Sequence, residues 1–254
     1  MSEVVLVMTA TIRPPLDAPG VLRLDPEVRL RDYENALAFY LDHLGKGIDR
    51  ICFAENSGSD MARLRSLVAS RGASDRVIFT DPSGLDFPPV YGRCFGETAL
   101  LDRAMGELRE VPRSADAVFW KVTGRYKVLN LRTMIRTRPK ASDLYMDLRA
   151  RRGQRWADLR LMSWTANGYD KVMRGIAPFI REDANNLRPG EETAYHILKE
   201  RIASAGIDAV TSFNSEPLID GVRAFDEKNW MAGRQRAVFY ARSLQRRLFG
   251  RVLI

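Results

Sequence analysis

Val4–Ile12 reads VVLVMTATI, an apolar and β-branched run that Arg13-Pro14-Pro15 closes. A run that is apolar at consecutive positions predicts a strand buried on both faces, as in a parallel sheet. Asp25-Pro26 then offers a helix N-cap followed by proline at the first helical position. From there Val28, Leu30, Tyr33, Ala36, Leu37, Tyr40 and Leu41 recur at helical spacing up to Gly45. Ile48–Ala54 (IDRICFA) predicts a second strand, closed by the polar stretch Glu55–Asp60. Met61–Ser70 predicts a second helix ended by Gly72, and Arg76–Thr80 a third strand. Gly92–Gly96 reads as a loop, ahead of a helix over Thr98–Leu108 and a fourth strand at Ala117–Val122.

This alternation predicts crossover units and an α/β fold with a mostly parallel central sheet and helices on both faces. The N-terminal half then has the layout of a Rossmann-like nucleotide-binding unit. The second half is less regular. Val128–Thr137 reads as a strand or a short helix, Leu144–Arg149 as a strand, and Arg155–Ile180 as helical stretches rich in Trp and Tyr. Thr193–Ala205 is a good helix after Pro189-Gly190, and Ile207–Phe213 resembles a strand. No repeat or linker divides residues 1–254, so a single domain is expected.

Composition excludes several classes. The 254 residues are 45% hydrophobic and 28% charged, which fits a globular chain and not a disordered or collagen-like one. No apolar run is long enough to span a membrane. The N-terminus reads as a strand rather than a signal peptide. Cys52 and Cys94 make no disulfide framework, so the cytoplasm is the expected compartment. There is no Walker loop, no G-x-G-x-x-G, no CxxC and no G-x-S-x-G, and neither His43 nor His196 has metal-ligand spacing. The net charge is +8, and arginine outnumbers lysine thirty-three to seven. Arginine forks onto phosphate, which suits a phosphate-rich partner, although a GC-rich genome raises the same ratio.

Three ordered blocks carry a resemblance: Glu55-Asn56-Ser57, the G-x-x-x-G-E at Gly92–Glu97, and FWKVTGRYKVLNL at Phe119–Leu131. Together they resemble the GT-A-type glycosyltransferases that build bacterial lipopolysaccharide, O-antigen and capsular polysaccharide. The resemblance covers about the first 130 residues, the nucleotide-sugar half, and leaves residues 131–254 as the acceptor half. It implies transfer of a sugar from a nucleotide-sugar donor to a growing surface glycan or its lipid-linked precursor. By position it implies Thr9, Thr11, Glu55 and Asn56 around the base, and Gly96 and Glu97 toward the ribose and phosphates. The family's fourth strand usually ends in Asp-x-Asp, which holds Mn²⁺ or Mg²⁺ against the diphosphate. Thr123-Gly124-Arg125 stands there instead, so no metal is expected, and Lys121 and Arg125 are the cations that could offset the departing charge.

Inverting transfer needs a carboxylate to take the acceptor hydroxyl proton. Glu191 and Glu192, at the start of a helix, are the candidates; Asp147 is the rival, and with Asp143 it shares one face of a strand. The tail, Asn229–Ile254, carries six arginines and no acidic residue. Tyr240, Leu244, Leu248 and Val252 fall on one side of a helix there. One reading is contact with the anionic inner face of the cell membrane; another is a terminal helix packed on the core with its arginines in solvent. Arg234 and Arg236 are further candidates for the donor site. The competing functions are a sugar nucleotidyltransferase and a basic nucleic-acid-binding protein. Thr9–Gly20 is poor in the glycine and arginine that the first wants, and no nucleic-acid motif supports the second, so no nucleic-acid partner is expected.

Overall fold

The opening run forms strand β1 (Val4–Ala10), buried along its whole length. Its even-numbered side chains join one core and Val5 and Val7 the other, so a single strand serves two apolar layers. In the computed structural model, residues 2–80, 84, 86–151, 153–185 and 188–249 are described, with Arg151, Arg234 and Arg247 described by their backbone alone.

Helix α1 (Pro26–Leu41) starts as expected, its Asp25 carboxylate accepting from the N–H groups of Glu27 and Val28. Then come β2 (Arg50–Glu55), α2 (Ala62–Ser70), β3 (Val77–Phe79), α3 (Arg93–Arg109) and β4 (Val118–Thr123). The second half adds β5 (Lys127–Val128), α4 (Leu131–Thr137), β6 (Leu144–Tyr145), β7 (Leu148–Arg151), β8 (Gln154–Ala157) and β9 (Leu161–Thr165). The single turn α5 (Ala166–Gly168), α6 (Gly190–Ala205), β10 (Ala209–Val210), β11 (Ile219–Asp220) and α7 (Arg234–Phe249) complete the order.

Seven strands form one sheet in the order β10-β6-β9-β4-β1-β2-β3. All run parallel except β9, which lies antiparallel between β6 and β4. The fold is therefore α/β with a mostly parallel sheet, and strands from both halves share it. Buried residues of α1, α2 and α4 line one face; those of α3 and α6 line the other.

Two expectations are corrected. Arg155–Ile180 is not mainly helical: it holds β8 and β9 before short turns begin. Pairing with β4 and β6 draws Leu161–Thr165 into the sheet, and tertiary pairing overrides the apparent helical spacing. Trp164 and Tyr169 are core, whereas Trp156, on the β7–β8 hairpin, is partly exposed. Nor is Gly92–Gly96 a loop, because α3 begins at Arg93 and so contains Gly96 and Glu97.

Candidate functional site

The winding reverses beside β1. From β1 the chain moves to β2 and β3 on one side; β4 then returns to the other side of β1. In open α/β sheets the carboxyl ends of the two strands flanking that point diverge and leave a crevice where ligands bind. Here those ends are Thr9 and Thr123, partners in register on β1 and β4.

Glu97 on α3 reaches this crevice. Its Oε1 accepts from the hydroxyls of Thr9 (2.9 Å) and Thr123 (2.8 Å) and from the Lys121 ammonium. Alternation along β4 turns Lys121 to the same face as Phe119, beneath α3, and its Nζ also donates to the Leu159 carbonyl. Lys121 is 1% exposed, but the Glu97 side chain is 24% exposed, so the cluster has one open side. Burial opposes ionisation of Glu97; Lys121 and the two hydroxyls more than offset it and hold the carboxyl below its ordinary value. Four candidates read from the sequence, Thr9, Glu97, Lys121 and Thr123, thus meet in one hydrogen-bonded group.

Close backbone approach shapes the rim. The Gly124 N–H donates to the Thr9 carbonyl at 2.8 Å, and a Cβ on Gly124 would sit 2.8 Å from that same oxygen. A Cβ on Gly96 would sit 2.5 Å from the Phe87 ring, so the segment before α3 packs here only against glycine.

The loops after β1 and β2 are tied together. Glu55, fully buried, accepts from the backbone N–H of Ile12 (3.0 Å), Ser57 (2.9 Å) and Ser59 (3.3 Å) and from the Ser57 hydroxyl. Its oxygens are spent on the chain itself, so it shapes the loop rather than facing outward. Thr11 donates its hydroxyl to the Asn56 side-chain carbonyl at 2.7 Å. Sequence reasoning missed the two residues that fix Thr11 from α1: Tyr33, whose hydroxyl accepts from the Thr11 N–H, and Arg29, which donates to the Thr11 carbonyl. The signal was an arginine on the buried stripe of a helix.

Other candidates lie elsewhere or are otherwise engaged. Arg125 is 8% exposed; it donates to the Val222 carbonyl and the Tyr126 hydroxyl and lies 4.7 Å from the Tyr126 ring centroid. Its guanidinium therefore ties the end of β4 to the segment after β11 and is not the outward-facing cation expected. Glu191, 17% exposed, lies 3.7 Å from Arg93 in the first turn of α3, and Glu192 lies 4.0 Å from Arg188. Glu182, also missed, stands between the first turns of α3 and α6, where its Oε1 accepts from the Gly190 N–H. Burial and the nearby Glu191 push its carboxyl above the ordinary value. The side chain of Arg234, and all of Asp81, Pro82 and Val252, lie outside the described residues.

Asp147 stands at the carboxyl end of β6, deep in a second charged group. Arg149 lies 2.6 Å and Arg246 2.7 Å from its Oδ2. Arg246 also donates to Glu216 (2.7 Å), Ser212 (3.0 Å) and the Phe213 carbonyl (2.7 Å). Asp158 pairs with Arg160 and lies 3.6 Å from Arg149. Burial opposes its ionisation, but those two arginines outweigh the penalty and hold it well below the ordinary carboxylate range. Asp143 accepts from the Thr165 hydroxyl at the other end of β6 and does not meet Asp147.

The chain is similar overall to solved structures of sugar-handling enzymes. The chain is 10% identical to the galactosyltransferase LgtC solved with donor and acceptor sugar analogs, covering 81% of this chain and 73% of that one at a TM-score of 0.46. It is 8% identical to the nucleoside-diphosphate-sugar pyrophosphorylase of Vibrio cholerae RC9, covering 82% and 90% at 0.46. It is 12% identical to the glucosyl-3-phosphoglycerate synthase of Mycobacterium tuberculosis, solved with Mn²⁺, UDP and glucosyl-3-phosphoglycerate, covering 83% and 68% at 0.43. The sequence matches no protein-family model and no curated protein.

Among the described residues, the carboxylate at the end of β4 is Glu97, which the Lys121 ammonium already neutralises. Among the described residues no group of three or more His, Cys, Asp or Glu could hold a metal.

Proposed function

We propose that the chain is a glycosyltransferase that moves a sugar from a nucleotide-sugar donor to a saccharide or lipid-linked acceptor of a cell-surface glycan. The observation that carries this reading is the half-open group of Thr9, Glu97, Lys121 and Thr123 at the crevice between β1 and β4. The free side of Glu97 and the Thr123 hydroxyl suit sugar and ribose hydroxyls. Thr11 and Asn56, held in place from α1, form the wall for the base, and Glu55, Gly96 and Gly124 set the backbone that admits it.

In the reaction the bond from the anomeric carbon to the donor phosphate breaks, and the diphosphate leaves with the electron pair. The acceptor oxygen forms the new bond, and its proton passes to a carboxylate. We assign that role to Glu191, backed by Glu192 on the same turn, because Arg93 links Glu191 to the helix that carries Glu97. Asp147 is withdrawn from the role, since Arg149 and Arg246 hold it in a buried pair. The half-exposed guanidinium of Arg93, at the positive end of α3, is the cation that offsets the leaving charge. Arg125 acts behind it by fixing the segment after β11.

Thermal melting with the diphosphates of all common nucleosides, with Mn²⁺ and with a chelator, tests the reading. At least one is expected to raise Tm without the metal, and Glu97→Gln to abolish most of that rise. If none shifts the wild-type melt under either condition, the donor site is not there.

A further inference from the structure

Helix α7 turns Arg242 and Arg246 inward alongside Val238 and Phe239 and leaves an apolar row in solvent. An arginine-rich amphipathic helix ordinarily buries its apolar stripe and leaves its cations in water. In α7, Arg246 is 1% exposed and is spent on Asp147, Glu216, Ser212 and Phe213, while Arg242 lies 3.7 Å from Glu216. Buried acids on the sheet edge draw the cationic face inward, because an uncompensated buried carboxylate is costly. The opposite face must then point outward. Tyr240 and Leu244 are 57% exposed, Leu248 64% and Phe249 59%. Spacings of four from Tyr240 to Leu248 put three of these in one row along the helix.

We propose that this outward stripe of α7 docks on an anionic lipid bilayer, lying in the interface plane with its apolar side chains among the acyl chains. The residues flanking the stripe choose the partner. Asn229–Ile254 contains no acidic residue, and exposed Arg236 stands over the Tyr240 ring at 6.0 Å, where it meets the headgroups. A second copy of the chain fits less well. Four side chains offer on the order of 400 Å² of apolar surface. A stable dimer needs about 800 Å² from each partner. The insertion is shallow, since among the described residues no helix is long and apolar enough to cross a membrane. It follows that the apolar stripe, and not the arginines at 242 and 246, supplies most of the binding. The proposal rests on the faces of α7 and not on sugar transfer, so vesicle binding and nucleotide binding can fail separately.

Co-sedimentation of the full chain with vesicles tests it, using phosphatidylcholine alone and phosphatidylcholine with about one-third phosphatidylglycerol. The wild type is expected to bind the anionic vesicles and to keep part of that binding at raised salt. Leu244→Gln with Leu248→Gln is expected to cut partitioning on the order of tenfold or more, with Tm unchanged because both side chains already face water. Arg236→Ala is expected to cut it about fivefold. The proposal is overturned if the wild type binds neither vesicle. It is also overturned if the double variant binds as well as the wild type, or if light scattering finds a wild-type dimer that the double variant splits.

Discussion

Two charged groups stand on the carboxyl edge of the same sheet, and they are built differently. At the β1–β4 crevice one carboxylate meets one ammonium and two hydroxyls, and the carboxylate keeps an open side. At the β6–β10 edge Asp147, Asp158 and Glu216 meet Arg149, Arg160, Arg242 and Arg246, and the three acids are buried. The second group spends its charges on itself. Arginine brings several N–H groups in a fixed fork, so a few arginines can satisfy every lone pair of a buried acid and exclude other ligands. A lysine and two hydroxyls converging on one oxygen leave the other side of the carboxylate uncovered. A charged group at a strand end is therefore a binding site only where its partners stop short of saturation.

The largest expected effect tests the closed group. Arg246→Ala removes the more buried of the two arginines that bridge Asp147 and Glu216, leaving only Arg149 between them, and is expected to cost about 3 kcal/mol in urea denaturation. Arg236→Ala on the same helix, exposed and away from the acids, is expected to change stability by less than about 0.5 kcal/mol. Equal effects would mean that the closed group does not depend on its buried arginine.

Glu97→Gln probes the open group. It is expected to cost about 1–3 kcal/mol, less than the loss of Arg246, because Lys121 keeps the Leu159 carbonyl as a partner. Both Glu97 and Asp158 have carboxyls below their ordinary values in the folded chain. Their stabilisation is complete above their unfolded values, roughly pH 4 to 4.5, and is lost as pH falls toward the folded ones. Urea midpoints measured between neutral pH and about pH 3 are expected to fall in that window, and less steeply in Glu97→Gln.

The smallest effect has the opposite sign. Glu182 is held above its ordinary value, so its ionised form costs the folded chain some stability at neutral pH. Glu182→Gln keeps an acceptor for the Gly190 N–H and is expected to raise Tm at neutral pH by about one or two degrees. The gain disappears below about pH 4, where the wild-type carboxyl is protonated. A destabilised variant at neutral pH would show that the charge is needed between the two helix starts.

The meeting of Thr9, Glu97 and Thr123 was largely legible because it depends on chain order. Thr9 and Thr123 end two runs whose hydrophobicity marks them as strands, and the Gly-x-x-x-Gly-Glu block places Glu97 in the helix between them. Two side chains turn away from the crevice for one shared reason. Arg125 turns to Val222 and Asp147 to Arg246, partners 97 and 99 residues away, and nothing local in the sequence announces them. The turning of Arg242 and Arg246 toward the protein is another case. Periodicity separates the two faces of α7, but the acids on the sheet edge decide which face goes inward.

Hydrophobic pattern and caps are short-range properties, and the sequence alone determined them: the alternating strands and helices of a parallel-rich α/β sheet, and an amphipathic basic tail. Which charges stay open and which are sealed was decided only in the tertiary structure. A charge is neutralised by whatever ion or hydrogen-bond donor lies within a few ångströms, and folding brings those groups together from distant parts of the chain.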